Sequence, residues 1–430
     1  MTADLRIGIA GLGTVGAGVL KLLAEHRDLL RQRCGRGITV VAVSARDRNR
    51  ERAVAWAPAR WVDDPVALAQ APDVDVVVEL IGGSAGAPRA LVEQAIAAGK
   101  SVVTANKALI AAAGTELARA AERAGVSLLF EAAVAGGIPI LKALRESLAG
   151  NRLSRVYGIL NGTCNYILTN MQETGRPFAE ILEEAQGLGY AEADPSFDVD
   201  GIDSAHKLAI LTSLAFGCAV NLDAVYVEGI RDISPADIAY ARELGFRIKL
   251  LAIARRDGAG IEQRVHPCMV PLDTPIAHVG GVFNAVVTEG DYVGRAVFEG
   301  RGAGAGPTAS AVVADLVDIA RGLKVPAFAV PAAELETAAV APMAAHRGPY
   351  YVRLVVVDKP GVMADIAAIL RDERVSIESV LQRGRSPNEP VPLVLTTHDT
   401  EERQMKAALG KIARLDSVIE SPHLIRIEHL

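Results

Sequence analysis

Apolar residues in the first third of the chain come in short unbroken runs, separated by stretches of helical period. The runs LRIGIA (5–10), ITVVAVS (38–44), VDVVVELIGG (74–83), SVVTANKALI (101–110) and VSLLFEAAVAGGIPIL (126–141) are of strand length and rich in β-branched residues. Continuous rather than alternating hydrophobicity marks strands covered on both faces. Between them, Val19, Leu20, Leu22 and Leu23 recur at helical spacing, and APRALVEQAIAAGK (87–100) is periodic up to a Gly-Lys stop. Strands alternating with helices predict a doubly wound parallel sheet, and ligands of such sheets gather at the carboxyl ends of the strands. Those ends carry Glu79, Gly82, Thr104, Asn106, Lys107, Glu131 and Gly136.

Past residue 140 the pattern changes. A helix, a strand and a polar turn at Asn161–Asn165 follow one another, and RIKLLAIARR (247–256) and GIEQRVHPCMV (260–270) read as antiparallel strands. GIDSAHKLAILTSLAFG (201–217) reads as a helix with Ile202, Leu208 and Leu211 among its apolar positions. A mixed α/β second domain is predicted. A glycine-rich loop at Glu299–Gly306 runs into Pro307, a residue suited to the first turn of a helix. After a proline and small-residue stretch, residues 350–430 read strand, helix, strand, strand, helix, strand, enough for a small autonomous domain.

Composition narrows the class. A chain of 430 residues exceeds one ordinary core, and half hydrophobic with 22% charged is a globular balance. A net charge of −6 with no basic stripe argues against nucleic acid as a partner. No apolar run reaches the length of a membrane span, and the N-terminus enters a strand directly, without the pattern of a signal peptide. Cys34, Cys164, Cys218 and Cys268 lie far apart with no CxxC pair, as expected for reduced thiols in a cytoplasmic protein and not for a disulfide frame or zinc site. Cys164 is expected as a small buried hydrophobe.

GLGTVG, comprising Gly11, Leu12, Gly13, Thr14, Val15 and Gly16, is a GxGxxG triplet between a strand and a helix, the context that makes it a dinucleotide site. Gly11 permits the turn, Gly13 lets a pyrophosphate approach, and Gly16 lets helix and strand pack closely. The helix N-terminus offers N–H groups and a positive dipole end to the anion. At the end of the next strand an NAD site carries an acidic residue for the ribose hydroxyl. Here Ser44 and Ala45 are followed by Arg46 and Arg48, cations that suit a 2′-phosphate, so NADP is expected; Asp47 leaves NAD possible.

EADPSFDVDGIDSAHK (192–207) packs five carboxylates into twelve residues before a lysine. Placing Gly201 at position 6 of a calcium loop puts Lys207 where a bidentate glutamate belongs, so the loop fails. Asp203 and Lys207 are i, i+4 neighbours on a helix: an exposed bridge worth about 0.2–0.5 kcal/mol, or a positioned proton donor with a tunable pKa. Spacing alone favours the exposed bridge, with Asp198 and Asp200 as solvated or capping residues. Lys107, in TANK, is either a helix-starting surface charge or a contact to substrate and nicotinamide.

Six segments in order — IGIAGLGTVG, TANKALI, EAAVAGGIPI, NGTCNYILT, GYAEADPSFDVDGIDSAHKLAIL and GRGAGAGPTASAV — together with the later DKPGVMADIAAIL block resemble the homoserine dehydrogenase family in its form with a C-terminal ACT regulatory domain. The resemblance spans essentially the whole chain. It implies a Rossmann-like nucleotide domain over 1–135, a catalytic and dimerisation domain over 136–300, a return segment over 301–340 packing on the first domain, a linker at 341–349 and a ferredoxin-like ACT domain over 350–430. It implies NAD(P)H-dependent, reversible reduction of L-aspartate 4-semialdehyde to L-homoserine, on the route to threonine, methionine and isoleucine. Lys207 then matches the proton donor, Asp203 its acidic partner, Lys107 a second active-site lysine and Glu192 the residue that binds the substrate amino group. Arg46, Thr104, Gly189 and Gly304 join the glycine turn around the cofactor. Glu131, Val134, Gly136 and Ile138 match a monovalent-cation site, expected to hold sodium. A homodimer or homotetramer and threonine control through the ACT domain are also implied. The sequence departs from the commonest family wording at Cys164, where threonine is usual. Two rivals remain at this stage. An aldehyde-oxidising dehydrogenase needs an activated cysteine, which no motif here supplies, and an amino-acid sensor would use the nucleotide domain only as a scaffold.

Overall fold

The computed structural model describes residues 3–52, 54–382 and 390–430; residues 383–389, inside the block read as the ACT domain, lie outside the described residues. The first sheet contains six parallel strands in the spatial order Arg60–Trp61, Ile38–Ser44, Leu5–Ala10, Val76–Glu79, Ser101–Thr104 and Leu128–Leu129. The chain reverses its direction of progress beside Leu5–Ala10, and a crevice opens there at the carboxyl ends. Every residue of Val76–Glu79 is buried, which accounts for its unbroken apolar run. Arg60–Trp61 is too short to leave a periodic signal and was not legible in the sequence. The last run, read as a strand over 126–141, pairs only at Leu128–Leu129; a 3₁₀ turn at Glu131–Ala133 then leads the chain out of the domain. Helix Ala305–Arg321 returns to pack on helix Thr14–Glu25, so closely that a Cβ on Gly18 would lie 2.6 Å from the Ala305 carbonyl oxygen.

The second sheet begins with Gly294–Arg301, Phe283–Gly290, Leu153–Ile159, Phe246–Asp257 and Gly260–Pro271. Phe246–Asp257 and Gly260–Pro271 pair antiparallel from end to end, as read from the sequence. Their turn holds because Asp257 accepts from the Ala259 N–H and Gly260 takes φ +135°. The sheet does not stop at the domain boundary. His423–Ile427 pairs in parallel with Gly260–Pro271, at Cys268 with Arg426 and Met269 with Ile427. Tyr350–Val357, Pro390–Thr397 and Ile377–Gln382 follow outward, giving the predicted βαββαβ order. Catalytic and C-terminal domains therefore share one ten-stranded sheet, with Tyr226–Val227 pairing on Gly260–Pro271 to one side.

Charge fills the junction. Arg264 is held by Glu262 and Glu428, Arg426 by Glu228 and Glu402, and Arg353 by Asp237. The stretch 341–349, read as a linker, joins the two domains but is pinned to both. His346 lies 2.7 Å from Glu262, and Arg347–Gly348 pairs with Thr400–Glu401. Among the described residues, no helix is long and apolar enough to cross a membrane.

Candidate active site

Helix Ile202–Phe216 starts from Gly201, whose φ of +86° is the left-handed conformation that glycine adopts without steric cost. Two residues on, Asp203 is 2% exposed, and Lys207 sits one turn later at 8%. Spacing alone favours an exposed bridge; the structure buries the pair because the helix lies beneath Leu160 and against strands Phe246–Asp257 and Gly260–Pro271. Ile202, read as part of the apolar face, is instead exposed.

Asp203 is the centre of the cluster. Its Oδ2 accepts from Lys207 Nζ at 2.7 Å and from Asn161 Nδ2 at 2.9 Å. Its Oδ1 lies 3.0 Å from Lys107 Nζ. Burial alone would push the Asp203 carboxyl up; the charges of Lys207 and Lys107, with hydrogen bonds from Lys207 and Asn161, overcome this and hold it well below the usual carboxylate range. Lys207 also donates to the Leu160 carbonyl at 2.7 Å, and among the described residues its third N–H has no partner.

Lys107 comes from the other domain. It is the first residue of helix Lys107–Ala124, whose N-cap Asn106 accepts from the Leu109 N–H and donates to the Gly83 carbonyl. The Lys107 ammonium lies over the Phe197 ring, 5.5 Å from its centroid. Lys107 is the helix start of the first reading, and its ammonium reaches Asp203 instead of standing alone as a surface charge. Asp198, expected as a solvated or capping residue, accepts from Asn161 Nδ2 at 2.7 Å inside the cluster, and burial raises its carboxyl. Asp200 does stay at the surface, paired with Arg231. Asn161 and the Leu160 carbonyl were missed as functional groups, since nothing in NGTCN announces which partner an amide will take. Cys164 is fully buried, and burial, then Asp198 and Asp203, push its thiol well up. Such a thiol is no thiolate nucleophile, which removes the aldehyde-oxidising rival at this position.

The glycine turn has the dimensions its motif requires. Gly11 takes φ +105°, a Cβ there would meet the Leu80 carbonyl oxygen at 2.5 Å, and one on Gly16 would meet the Gly11 oxygen at 2.1 Å. A Cβ on Gly13 meets nothing within 4 Å, so this backbone is open to a ligand. The turn borders a cleft of about 680 Å³ that also touches Leu12, Ser44, Ala45 and Arg46. Thr14 and Val15 open the helix behind it. Among the described residues, the Arg46 guanidinium takes no hydrogen bond or ion pair and lines the cleft. Arg48 does not share that position: it lies over Trp56 and Trp61, 5.9 and 6.0 Å from their centroids. Arg50 lines the cleft in its place and was not singled out in the sequence.

The remaining residues are less concentrated. Thr104 turns its hydroxyl inward, donating to Glu79 at 2.7 Å and accepting from the Asn106 N–H. Gly189, at φ +75°, and Glu192 lie on an exposed turn, and the Glu192 carboxylate takes no partner among the described residues. Gly304, at φ +114°, is the N-cap of helix Ala305–Arg321. The loop before it rests on the exit segment of the first domain, where Gly137 N–H donates to the Arg301 carbonyl at 2.9 Å.

The tight fit at Gly16 sets a test. Gly16→Ala forces a methyl onto the Gly11 carbonyl, so the turn must open. Dinucleotide affinity is expected to fall by at least about tenfold, about 1.4 kcal/mol. Titration of the reduced cofactor by fluorescence checks this, and unchanged affinity would show that the turn is not the binding surface.

A dinucleotide-shaped turn in one domain, with two ammonium groups gathered on one buried carboxylate where that domain meets the next, is the equipment of an NAD(P)-dependent oxidoreductase, and that is the class of this protein. Comparison with known proteins makes it specific. Residues 11–131 match the NAD-binding domain of homoserine dehydrogenase, 139–317 match homoserine dehydrogenase itself, and 350–417 match the ACT domain. A homoserine dehydrogenase of Neisseria gonorrhoeae is 47% identical over 99% of both chains. The crystal structure of one from Thiobacillus denitrificans, also 47% identical, superposes with a TM-score of 0.94 over 100% of this chain and 99% of that one. A hyperthermophilic archaeal homoserine dehydrogenase in complex with NADPH is 27% identical, with a TM-score of 0.64 over 75% of this chain and 99% of its own. The chain belongs to the homoserine dehydrogenase family, in the form with an ACT domain.

Proposed function

We propose that this enzyme reduces L-aspartate 4-semialdehyde to L-homoserine, reversibly, with Lys207 as the proton donor. The observation that carries the reading is the single Asp203 carboxylate between Lys207, at 2.7 Å, and Lys107, at 3.0 Å. The bound dinucleotide supplies the hydride. Negative charge then grows on the aldehyde oxygen, where the Lys207 ammonium stabilises it and gives up its free proton. Asp203 orients Lys207 through its Oδ2. Lys107, from the nucleotide domain, adds a second positive charge and helps place substrate against the nicotinamide. Glu192 takes the substrate amino group, and Gly189 and Gly304, with the backbone at Thr104, border the cofactor.

NADP is the preferred cofactor in this reading, because the unpaired Arg46 guanidinium lies at the strand end where a 2′-phosphate arrives. The archaeal relative in complex with NADPH supports this reading. A charge-assisted hydrogen bond is worth about 1.5–3 kcal/mol, so Arg46→Ala is expected to lower kcat/KM for NADP roughly 10- to 100-fold and to leave NAD little changed. Equal losses with both cofactors would remove Arg46 from that role.

A monovalent cation, sodium in this reading, is assigned to the backbone at Glu131, Val134, Gly136 and Ile138. Ala135 and Gly136 take successive positive φ values of 54° and 40°, a turn that redirects neighbouring carbonyls. The Glu131 carboxylate is already engaged, accepting from the Leu141 and Lys142 N–H groups at 3.1 and 2.7 Å, so Glu131 would contribute its carbonyl. The ACT domain is read as an amino-acid sensor, with threonine the expected inhibitor.

The deciding experiment is homoserine-dependent reduction of NADP and of NAD, followed by absorbance, with and without millimolar L-threonine. Turnover establishes the reaction. Cofactor binding without turnover, in folded protein, would favour the scaffold reading over catalysis.

A further inference from the structure

Three segments meet at the join between the C-terminal domain and the catalytic one, and they lead back to Asp203. Arg426, 1% exposed, stands on the shared strand His423–Ile427. It donates to Glu228 from Nη1 at 2.6 Å and from Nη2 at 3.1 Å, and to Glu402 from Nε at 3.0 Å. Lys406, one turn on from Glu402 along helix Glu402–Ile412, donates to the Tyr226 hydroxyl at 3.1 Å. The C-terminal domain therefore grips residues 226–228 from two of its elements.

The other side of this short segment touches the start of the catalytic helix. Glu228 N–H donates to the Val265 carbonyl at 2.7 Å, which fixes the segment on the sheet. A Cβ on Gly201 would meet Val227 at 3.0 Å and Val265 at 3.2 Å, and one on Gly229 would meet the Val199 carbonyl oxygen at 2.4 Å. Ile230 N–H donates to that same Val199 carbonyl at 2.9 Å. Arg231 reaches Asp200 and Ser196. No slack separates residues 227–231 from the 199–201 turn, and Asp203 follows two residues later.

We infer that Glu228, held by Arg426, is a positioning residue for Asp203 and Lys207, and that residues 226–231 are the bracket through which the C-terminal domain acts on catalysis. The inference rests on the catalytic role given above to Asp203 and Lys207. The Arg426 end of this pair is buried and the Glu228 end partly exposed, so the contact selects one placement of residues 226–231 more than it adds net stability. Moving the bracket moves the turn that aims the helix, and misplacement of about 1 Å far from the chemistry can cost as much as 10²-fold in rate.

The test uses the full-length enzyme. Glu228→Ala is expected to lower kcat for homoserine oxidation about tenfold, with KM for the dinucleotide unchanged. Glu228→Gln, which keeps a hydrogen bond to Arg426, should recover part of the loss and remains informative should the alanine variant fold poorly. Tyr351→Phe serves as the control. It removes a contact across the same junction, the Tyr351 hydroxyl on Asp237 at 3.1 Å, at a point away from the bracket. It should leave kcat unchanged. Wild-type turnover with full kcat in both Glu228 variants overturns the inference alone, as does an equal loss in Tyr351→Phe, which would reflect loosened docking. Absence of turnover in the wild type overturns the catalytic reading and the inference with it.

Discussion

Lys207→Ala is expected to lower kcat by at least about 10²-fold, the scale of a lost general acid, with dinucleotide affinity unchanged. The two halves of that expectation have separate physical grounds. In the proposed mechanism the proton comes from Lys207, which among the described residues has one N–H left after serving Asp203 and Leu160. The glycine turn and the cleft beside Arg46 are built by the other domain, so the cofactor does not need Lys207 to bind. The fold should survive, because Asp203 keeps Lys107 and Asn161 as partners after the truncation. Lys107→Ala should be milder in kcat and stronger in KM, since its side chain is a third exposed and reaches Asp203 from the other domain. Steady-state kinetics with homoserine, beside a direct cofactor titration, separate the two lysines. Near-normal turnover in Lys207→Ala would move the proton donor to Lys107.

Asp237→Ala is expected to be among the most damaging changes to stability, although it lies outside the active site. Asp237 is wholly buried. It closes a capping box with Ser234 at the start of helix Pro235–Glu243. It also accepts from Arg353 Nε at 2.7 Å and from the Tyr351 hydroxyl at 3.1 Å, both on the C-terminal domain. Removing it leaves a buried hydroxyl unpaired and the Arg353 guanidinium with only Glu420 at 3.9 Å, and breaking such a buried pair costs about 3–5 kcal/mol. A fall in Tm on the order of 10 °C follows for a unit of this size. A shift of under about 2 °C in calorimetry would show that the junction does not depend on Asp237.

The same group predicts the response to acid. Burial would raise the Asp237 carboxyl, but the His423 ring 3.3 Å away and hydrogen bonds from Arg353 and Ser234 hold it well below the ordinary range; Glu262, beside His346 and Arg264, is brought down to about 2 against the same burial. Folded values below the unfolded ones mean that this stabilisation is complete above about pH 5 and is lost as pH falls toward the folded values. The junction should therefore loosen in acid, and Asp237→Asn should flatten the decline in Tm.

Particular elements show what could be read from the chain alone. Unbroken β-branched runs required strands covered on both faces, and GLGTVG between a strand and a helix required a dinucleotide turn, because only glycine tolerates φ +105° at Gly11 and a neighbouring oxygen 2.1 Å from a would-be Cβ at Gly16. The βαββαβ order of the last block and the hairpin at 246–271 were equally legible, since both depend on local period and turn chemistry. Resemblance in six ordered segments pointed to Asp203, Lys207 and Lys107 together, where helical spacing alone pointed to an exposed bridge. What only the tertiary structure decided is burial and partnership across long separations. Asp203 meets Lys107 from a helix in the other domain, Asn161 turns Asp198 into a member of the cluster, and Arg48 lies over two tryptophans instead of lining the cleft. The fusion of two domains into one sheet, through two residue pairs between Cys268–Met269 and Arg426–Ile427, left no trace in either strand's pattern. Hydrophobic period reports which face of an element is covered; it carries no information about which distant element covers it, or which charge a buried charge will find there.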